Sequence, residues 1–174
     1  MKTRRWRHGD MKRHLAKLAG GLALMAAAAL APAQDVAPLS TGQTLYLPIY
    51  SHLYHGEVNP KTGKPSETLV STHVSIRNTD MKTTLKVTSA RYYNTDGMLL
   101  REYLPAAKTI PPLGTYELFV PRSDSSGGSG ANFIIDWSAE RPINTPLVEA
   151  LHADIREART LLFVTTGRPI QTAK

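Results

Sequence analysis

Two stretches of this 174-residue chain carry side chains that could do chemistry. The first is Ser51-His52-Leu53-Tyr54-His55-Gly56-Glu57. Neutral imidazole is a common ligand for zinc and copper, and a carboxylate can complete such a set. His52, His55 and Glu57 are therefore the metal candidates, and their geometry depends on the backbone. Residues three apart share one side of a helix but point to opposite faces of a strand. On a continuing strand His52 falls with Tyr46, Tyr50 and Tyr54, and His55 falls with Glu57. The competing reading is a polar, aromatic strand end, with Tyr50, His52, Tyr54 and His55 as a ligand-contacting surface. Beyond residue 33 only His73 and His152 remain as further imidazoles, and there is no cysteine.

The second stretch is Ser123-Asp124-Ser125-Ser126-Gly127-Gly128-Ser129-Gly130. Successive amides in so glycine-rich a loop can form an anion-binding nest, with Asp124, Ser125 and Ser126 as its polar side chains. It lacks the Lys-Ser/Thr of a phosphate loop, and a strand pattern follows it where a helix is required. Asp-Ser-Ser-Gly-Gly is also similar to the nucleophile region of chymotrypsin-like proteases. The chain is too short for that double barrel, and no histidine motif accompanies the serine. A turn-rich connection ahead of a core strand is the plainer reading. Arg91 and Arg101 with the tyrosines could line a stacking surface, or could pack as ordinary sandwich residues.

The elements that must position these groups begin after a leader. Residues 1–33 hold seven basic residues and one acid, an apolar run from Leu22 to Leu30, and Ala31-Pro32-Ala33. That is the pattern of a secretory signal peptide, with Met11 as an alternative start. The apolar run is short of the roughly 20 residues a membrane span needs, and no cysteine offers a lipid attachment point. Removing the leader takes the net charge from +7 to about +1. The apparent basicity then belongs to the removed segment, which withdraws the main argument for a nucleic-acid partner. The expected product is periplasmic or secreted, has no membrane span after cleavage, and is held together by packing without disulfides. The expected organisation is a linker over 34–42, one domain over 43–170 and a tail over 171–174.

The body reads as strands. Leu45, Leu47 and Ile49 alternate with polar neighbours, as do Val70, Val74 and Ile76, then Tyr116, Leu118 and Val120, then Phe133, Ile135 and Trp137. Parity slips between Val87 and Ala90, which predicts a β-bulge near Thr88-Ser89. Asn94-Thr95-Asp96-Gly97 supplies turn chemistry for a hairpin. Seven to eight such strands predict an all-β, immunoglobulin-like antiparallel β-sandwich. Pro146 to Thr160 is ambiguous, because Leu147, Leu151, Ile155 and Ala158 have helical spacing behind Thr145 and Pro146. A short helix over 146–158 competes there with a strand.

Taken together, Gly42 to His52, Tyr54-His55-Gly56, Ser75 to Asp80, Tyr92-Tyr93, Asp96-Gly97, Ser123 to Trp137 and Thr166-Gly167-Arg168 resemble a family of exported bacterial proteins with no assigned function. The resemblance spans roughly Gly42 to Ile170. It implies one compact β-rich domain, an exported location, and a strand in the segment matching Pro146 to Ala153. Asp154 to Arg159 departs from the family pattern, so the expectation is a strand from Leu147 with Asp154 to Thr160 as a connection. It brings no catalytic residues and no cofactor. The expectation is a non-enzymatic module that binds an envelope protein or a small ligand through its loops. The alternatives are a periplasmic metal-binding protein built on His52 and His55, and a small hydrolase using the serine-rich loop.

Overall fold

The computed structural model describes residues 38–171, so the leader, the first four residues of the linker and the last three residues lie outside the described residues. Twelve strand segments and no helix occupy the described chain. They are β1 (Ser40–Ile49), β2 (His52–His55), β3 (Ser66–Leu69), β4 (Ser71–Arg77), β5 (Leu85–Tyr93) and β6 (Leu99–Glu102). Then follow β7 (Lys108–Ile110), β8 (Thr115–Val120), β9 (Ala131–Ile143), β10 (Leu147–Arg156), β11 (Arg159–Thr166) and β12 (Arg168–Ile170). One sheet runs β12-β1-β9-β5-β6, with β7 also on β5. A second runs β11-β10-β4-β8, and β2 and β3 form a separate hairpin. Every pairing is antiparallel. The chain is thus all-β and sandwich-like. The count exceeds seven to eight because several segments are only three or four residues long.

Alternation decides which face is buried. Leu45, Leu47 and Ile49 of β1 meet Phe133, Ile135 and Trp137 of β9 and Val87, Ala90 and Tyr92 of β5 in the core. Val74 and Ile76 of β4, Leu118 and Val120 of β8, and Val148 and Ala150 of β10 close it from the other sheet. Each Val, Leu, Ile or Phe among them contributes about 1.5–3 kcal/mol when fully removed from water. The predicted bulge is present, since the β5–β9 register shifts between Val87 and Ser89. The Glu102 carboxylate serves it, accepting from Ala90 N at 2.8 Å and from the Ser89 hydroxyl at 2.7 Å. The Asn94–Gly97 turn also forms: Gly97 has φ 77°, and Asn94 N donates to Met98 O at 3.0 Å.

Residues 146–158 are not helical. β10 pairs with β4 from Leu147 and with β11 as far as Arg156, so neighbours on both sides satisfy its backbone. Val148, Ala150, His152 and Asp154 all point inward with period two. Tertiary pairing overrides the 3.6-residue spacing of Leu147, Leu151 and Ile155, which lie on the outer face. The stretch 154–160 is not a loose connection either. β10 continues to Arg156, a two-residue turn at Glu157 and Ala158 reverses the chain, and Arg159 opens β11 opposite Arg156.

Candidate functional site

The inward row of β10 begins as core and becomes polar toward one end of the sandwich. Val148 and Ala150 are apolar, His152 is fully buried, and Asp154 is 2 % exposed. At this end β4 starts, β8 finishes and β10 turns into β11.

His152 is stacked on Phe163 of β11, with ring centroids 4.4 Å apart and planes 3° apart. Tyr50 packs edge-on against both rings. Tyr50 N donates to His152 Nε2 at 3.1 Å, which places the neutral ring's proton on Nδ1. That nitrogen is buried with no partner among the described residues. Burial pushes the imidazole pKa down to about 4. His152 is therefore a neutral wedge at neutral pH.

Asp154 behaves oppositely. Its carboxylate accepts from Arg156 Nε at 2.9 Å and Arg159 NH2 at 2.8 Å, and Arg122 NH1 lies 3.4 Å away. The Arg156 hydrogen bond, aided by Arg159, holds the carboxyl below its ordinary range against the opposing effect of burial. A buried carboxylate needs a cation, because an unpaired one costs several kcal/mol. One well-placed guanidinium would serve, and here there are three, each with about half of its side chain exposed. The group carries a net charge of +2. Glu157, in the turn between Arg156 and Arg159, makes no ion pair among the described residues.

Beside this cluster opens a depression of about 390 Å³, lined by Ser71, Arg122, Ala153, Asp154, Ile155 and Arg156. Its rim carries Ile155, which is 71 % exposed. Arg159 NH2 also approaches Thr68 Oγ1 at 3.5 Å, and that hydroxyl pairs with His55 Nε2 at 2.9 Å. The hairpin of β2 and β3 is thereby joined to the turn between β10 and β11. The arrangement offers guanidinium donors to an oxyanion. It holds no nucleophile paired with a base.

The sequence candidates are distributed differently from expectation. β1 ends at Ile49 and the chain re-forms as β2 in another sheet, so the tyrosine row is broken. Tyr46 stays exposed on β1, Tyr50 packs on His152, and Tyr54 packs on His52 at 4.8 Å between ring centroids. β2 is a strand, so His52 and His55 face opposite ways and are not brought together. His55 reaches Thr68, Glu57 lies beyond the strand, and His52 Nε2 is buried with no partner among the described residues. Among the described residues no three His, Asp or Glu side chains cluster closely enough to hold a metal ion. Arg91 is paired with Asp136 at 2.7 Å, and Arg101 lies over the Tyr103 ring at 5.3 Å.

Part of the serine-rich loop is bonded within itself and part to neighbouring segments. Asp124 Oδ1 accepts from both the amide and the hydroxyl of Ser126, and Gly128 N donates to Ser125 O at 3.2 Å. Gly130 N donates to Thr95 Oγ1 at 3.0 Å, and Ser51 N donates to Gly128 O at 2.9 Å. These amides are not left free as an anion nest. Gly127 lies against buried Tyr92, and a Cβ there would overlap the Tyr92 hydroxyl. The loop is a clasp between the β5–β6 turn and the entry to β2. The sequence reading missed Arg122, Asp154, Arg156 and Arg159. Their available signal was Asp154 at the inward parity of β10, two and five residues ahead of arginines.

A family model described as a protein of unknown function (DUF3124) matches residues 42–170. No curated protein matches the chain. Among solved structures, the crystal structure of Thermotoga maritima 1070 aligns with 12 % identity and a TM-score of 0.38, covering 72 % of this chain and 92 % of that one.

Proposed function

The chain belongs to this DUF3124 family of proteins of unknown function, and from that premise we propose that it is an exported, non-enzymatic binding module working in the periplasm or outside the cell. Its working surface is the arginine cleft at the end of β10, and its partner is an envelope protein or a small ligand with acidic character. The observation that carries this reading is the surplus of positive charge: three half-exposed arginines surround one buried carboxylate beside an open depression. Surplus charge at a concave, partly apolar site is a feature of recognition, because pairing alone does not require it. The basic, apolar and small-residue segments of the leader support export. No helix among the described residues is long and apolar enough to cross a membrane.

Two experiments test the two halves. Fractionation of cells expressing the full chain, followed by N-terminal sequencing, should find protein beginning at Gln34 in the envelope or medium. A cytosolic product retaining Met1 or Met11 would contradict export. For binding, a photoreactive amino acid at Ile155 should give a discrete adduct in cells. The same group at Met98, equally accessible at 63 % exposure, should not. Equal labelling from both positions would remove the cleft as the working surface.

A further inference from the structure

We infer that the arginine cleft is a site for a doubly charged tetrahedral oxyanion, a phosphate-type group, seated on Arg122, Arg156 and Arg159. This deepens the binding-module reading and rests on it. Charge is the first argument. Asp154 neutralises one of three guanidiniums, and the ion pairs leave two positive charges uncompensated among the described residues. A monovalent carboxylate would leave one of them unbalanced, whereas a dianion matches both.

Donor geometry is the second argument. Each guanidinium carries five N–H donors in a planar fork suited to phosphate oxygens. Arg122 directs one nitrogen to Asp154, Arg156 uses Nε, and Arg159 uses NH2 for both Asp154 and Thr68. Most of the donors therefore remain open to a ligand. They arrive from three segments, the second residue after β8, the end of β10 and the start of β11, so they converge from several directions. A tetrahedral group accepts from several directions, while a planar carboxylate accepts in one plane.

Preorganisation is the third argument. Asp154 is buried and holds Arg156 and Arg159 at 2.9 and 2.8 Å, fixing them before any ligand arrives. Arg122, at 3.4 Å, is the most loosely held and is free to swing onto the ligand. Asp154 is thus a positioning residue. The depression of about 390 Å³, lined by Arg122 and Arg156 with Arg159 just outside its lining, admits such a head group, and pockets of this size hold small ligands. The exposed Ile155 at the rim could meet an apolar substituent, so the group could be free phosphate or a lipid head group.

The test is titration calorimetry on the full chain with inorganic phosphate, sulfate and acetate at constant ionic strength, at pH 8 and pH 6. Phosphate and sulfate should bind at pH 8 and acetate should not. Phosphate should weaken at pH 6 as it takes up a proton, while sulfate, which stays doubly charged, should not. The sulfate arm controls for His55 and His152, the histidines nearest the cluster. Arg122→Ala and Arg156→Ala should each weaken binding about tenfold or more, as expected for a charge-assisted hydrogen bond. Arg101→Ala, away from the cleft, should bind as the wild type does. Phosphatidylcholine vesicles doped with phosphatidic acid separate the two sources. Arg122-dependent sedimentation with them assigns a lipid head group, and phosphate binding without sedimentation assigns a free phosphate.

Neither anion binding nor sedimentation, or binding indifferent to Arg122 and Arg156, overturns the inference. If anions fail while the Ile155 photoadduct persists, the binding-module reading survives and only the ligand class is wrong. If the photoadduct also fails, both fall.

Discussion

The serine-rich loop and the arginine cleft begin one residue apart, at Ser123 and Arg122, yet they treat their polar groups in opposite ways. In the loop, the Ser126 amide and hydroxyl donate to Asp124, Gly130 N donates to Thr95, and the Gly127 and Gly128 carbonyls accept from Thr95 and Ser51. Gly127 admits no side chain because Tyr92 lies against it. In the cleft, one buried carboxylate is surrounded by three half-exposed arginines, and most guanidinium donors have no partner among the described residues. Polar residues that satisfy each other hold a fold together. Polar groups held in place but left unsatisfied are available to a ligand.

The contrast can be broken most forcefully at Gly127. Gly127→Ala should destabilise the fold by about 3 kcal/mol or more, since Tyr92 is buried and cannot yield. Urea unfolding measures this, and a near-neutral result would mean that the loop is not a clasp. Binding by whatever protein stays folded should be unchanged.

His152, the inner neighbour of Asp154, gives the next effect. Its folded pKa of about 4 lies below the unfolded value near 6.5. Its contribution to stability is therefore full above pH 6.5 and is lost as the pH falls toward 4, amounting to about 3 kcal/mol over that window. His152→Gln, which keeps an acceptor for Tyr50 N, should flatten this part of the stability–pH curve. Asp154 has a depressed folded pKa, so its contribution is present above its unfolded pKa and is lost at still lower pH.

The smallest effect on folding is expected in the cleft itself. Arg122→Ala or Arg156→Ala should change stability by less than about 1 kcal/mol, because each arginine is half exposed and another still pairs with Asp154. Thermal unfolding of the two variants checks this. A large loss would recast the arginines as structural.

These predictions mark how far the sequence could be read. The strand cores at Leu45, Phe133 and Val74, the bulge near Ser89 and the Asn94–Gly97 turn were legible, because period-two burial and turn chemistry are local properties. Position 146–158 misled because helical spacing on the outer face of β10 competed with pairing that local pattern does not reveal. The eye-catching motifs turned out to be anchors. His55 bonds to Thr68 within the hairpin, and the Gly127 and Gly128 carbonyls accept from Thr95 N and Ser51 N. The cleft was hidden because Ser71, Arg122 and Asp154 are far apart in sequence. Only the strand order β11-β10-β4-β8 brings them together.

The most direct measurement follows both regions at once. Two-dimensional NMR of the isotope-labelled chain during phosphate titration reports the side-chain N–H signals of Arg122, Arg156 and Arg159 beside the backbone amides of Ser126 to Gly130. The arginine signals should shift in a saturable way, with Arg122 moving most, while the loop amides stay in place. Saturable shifts in the loop amides with the arginines unmoved would reverse the assignment and contradict the account.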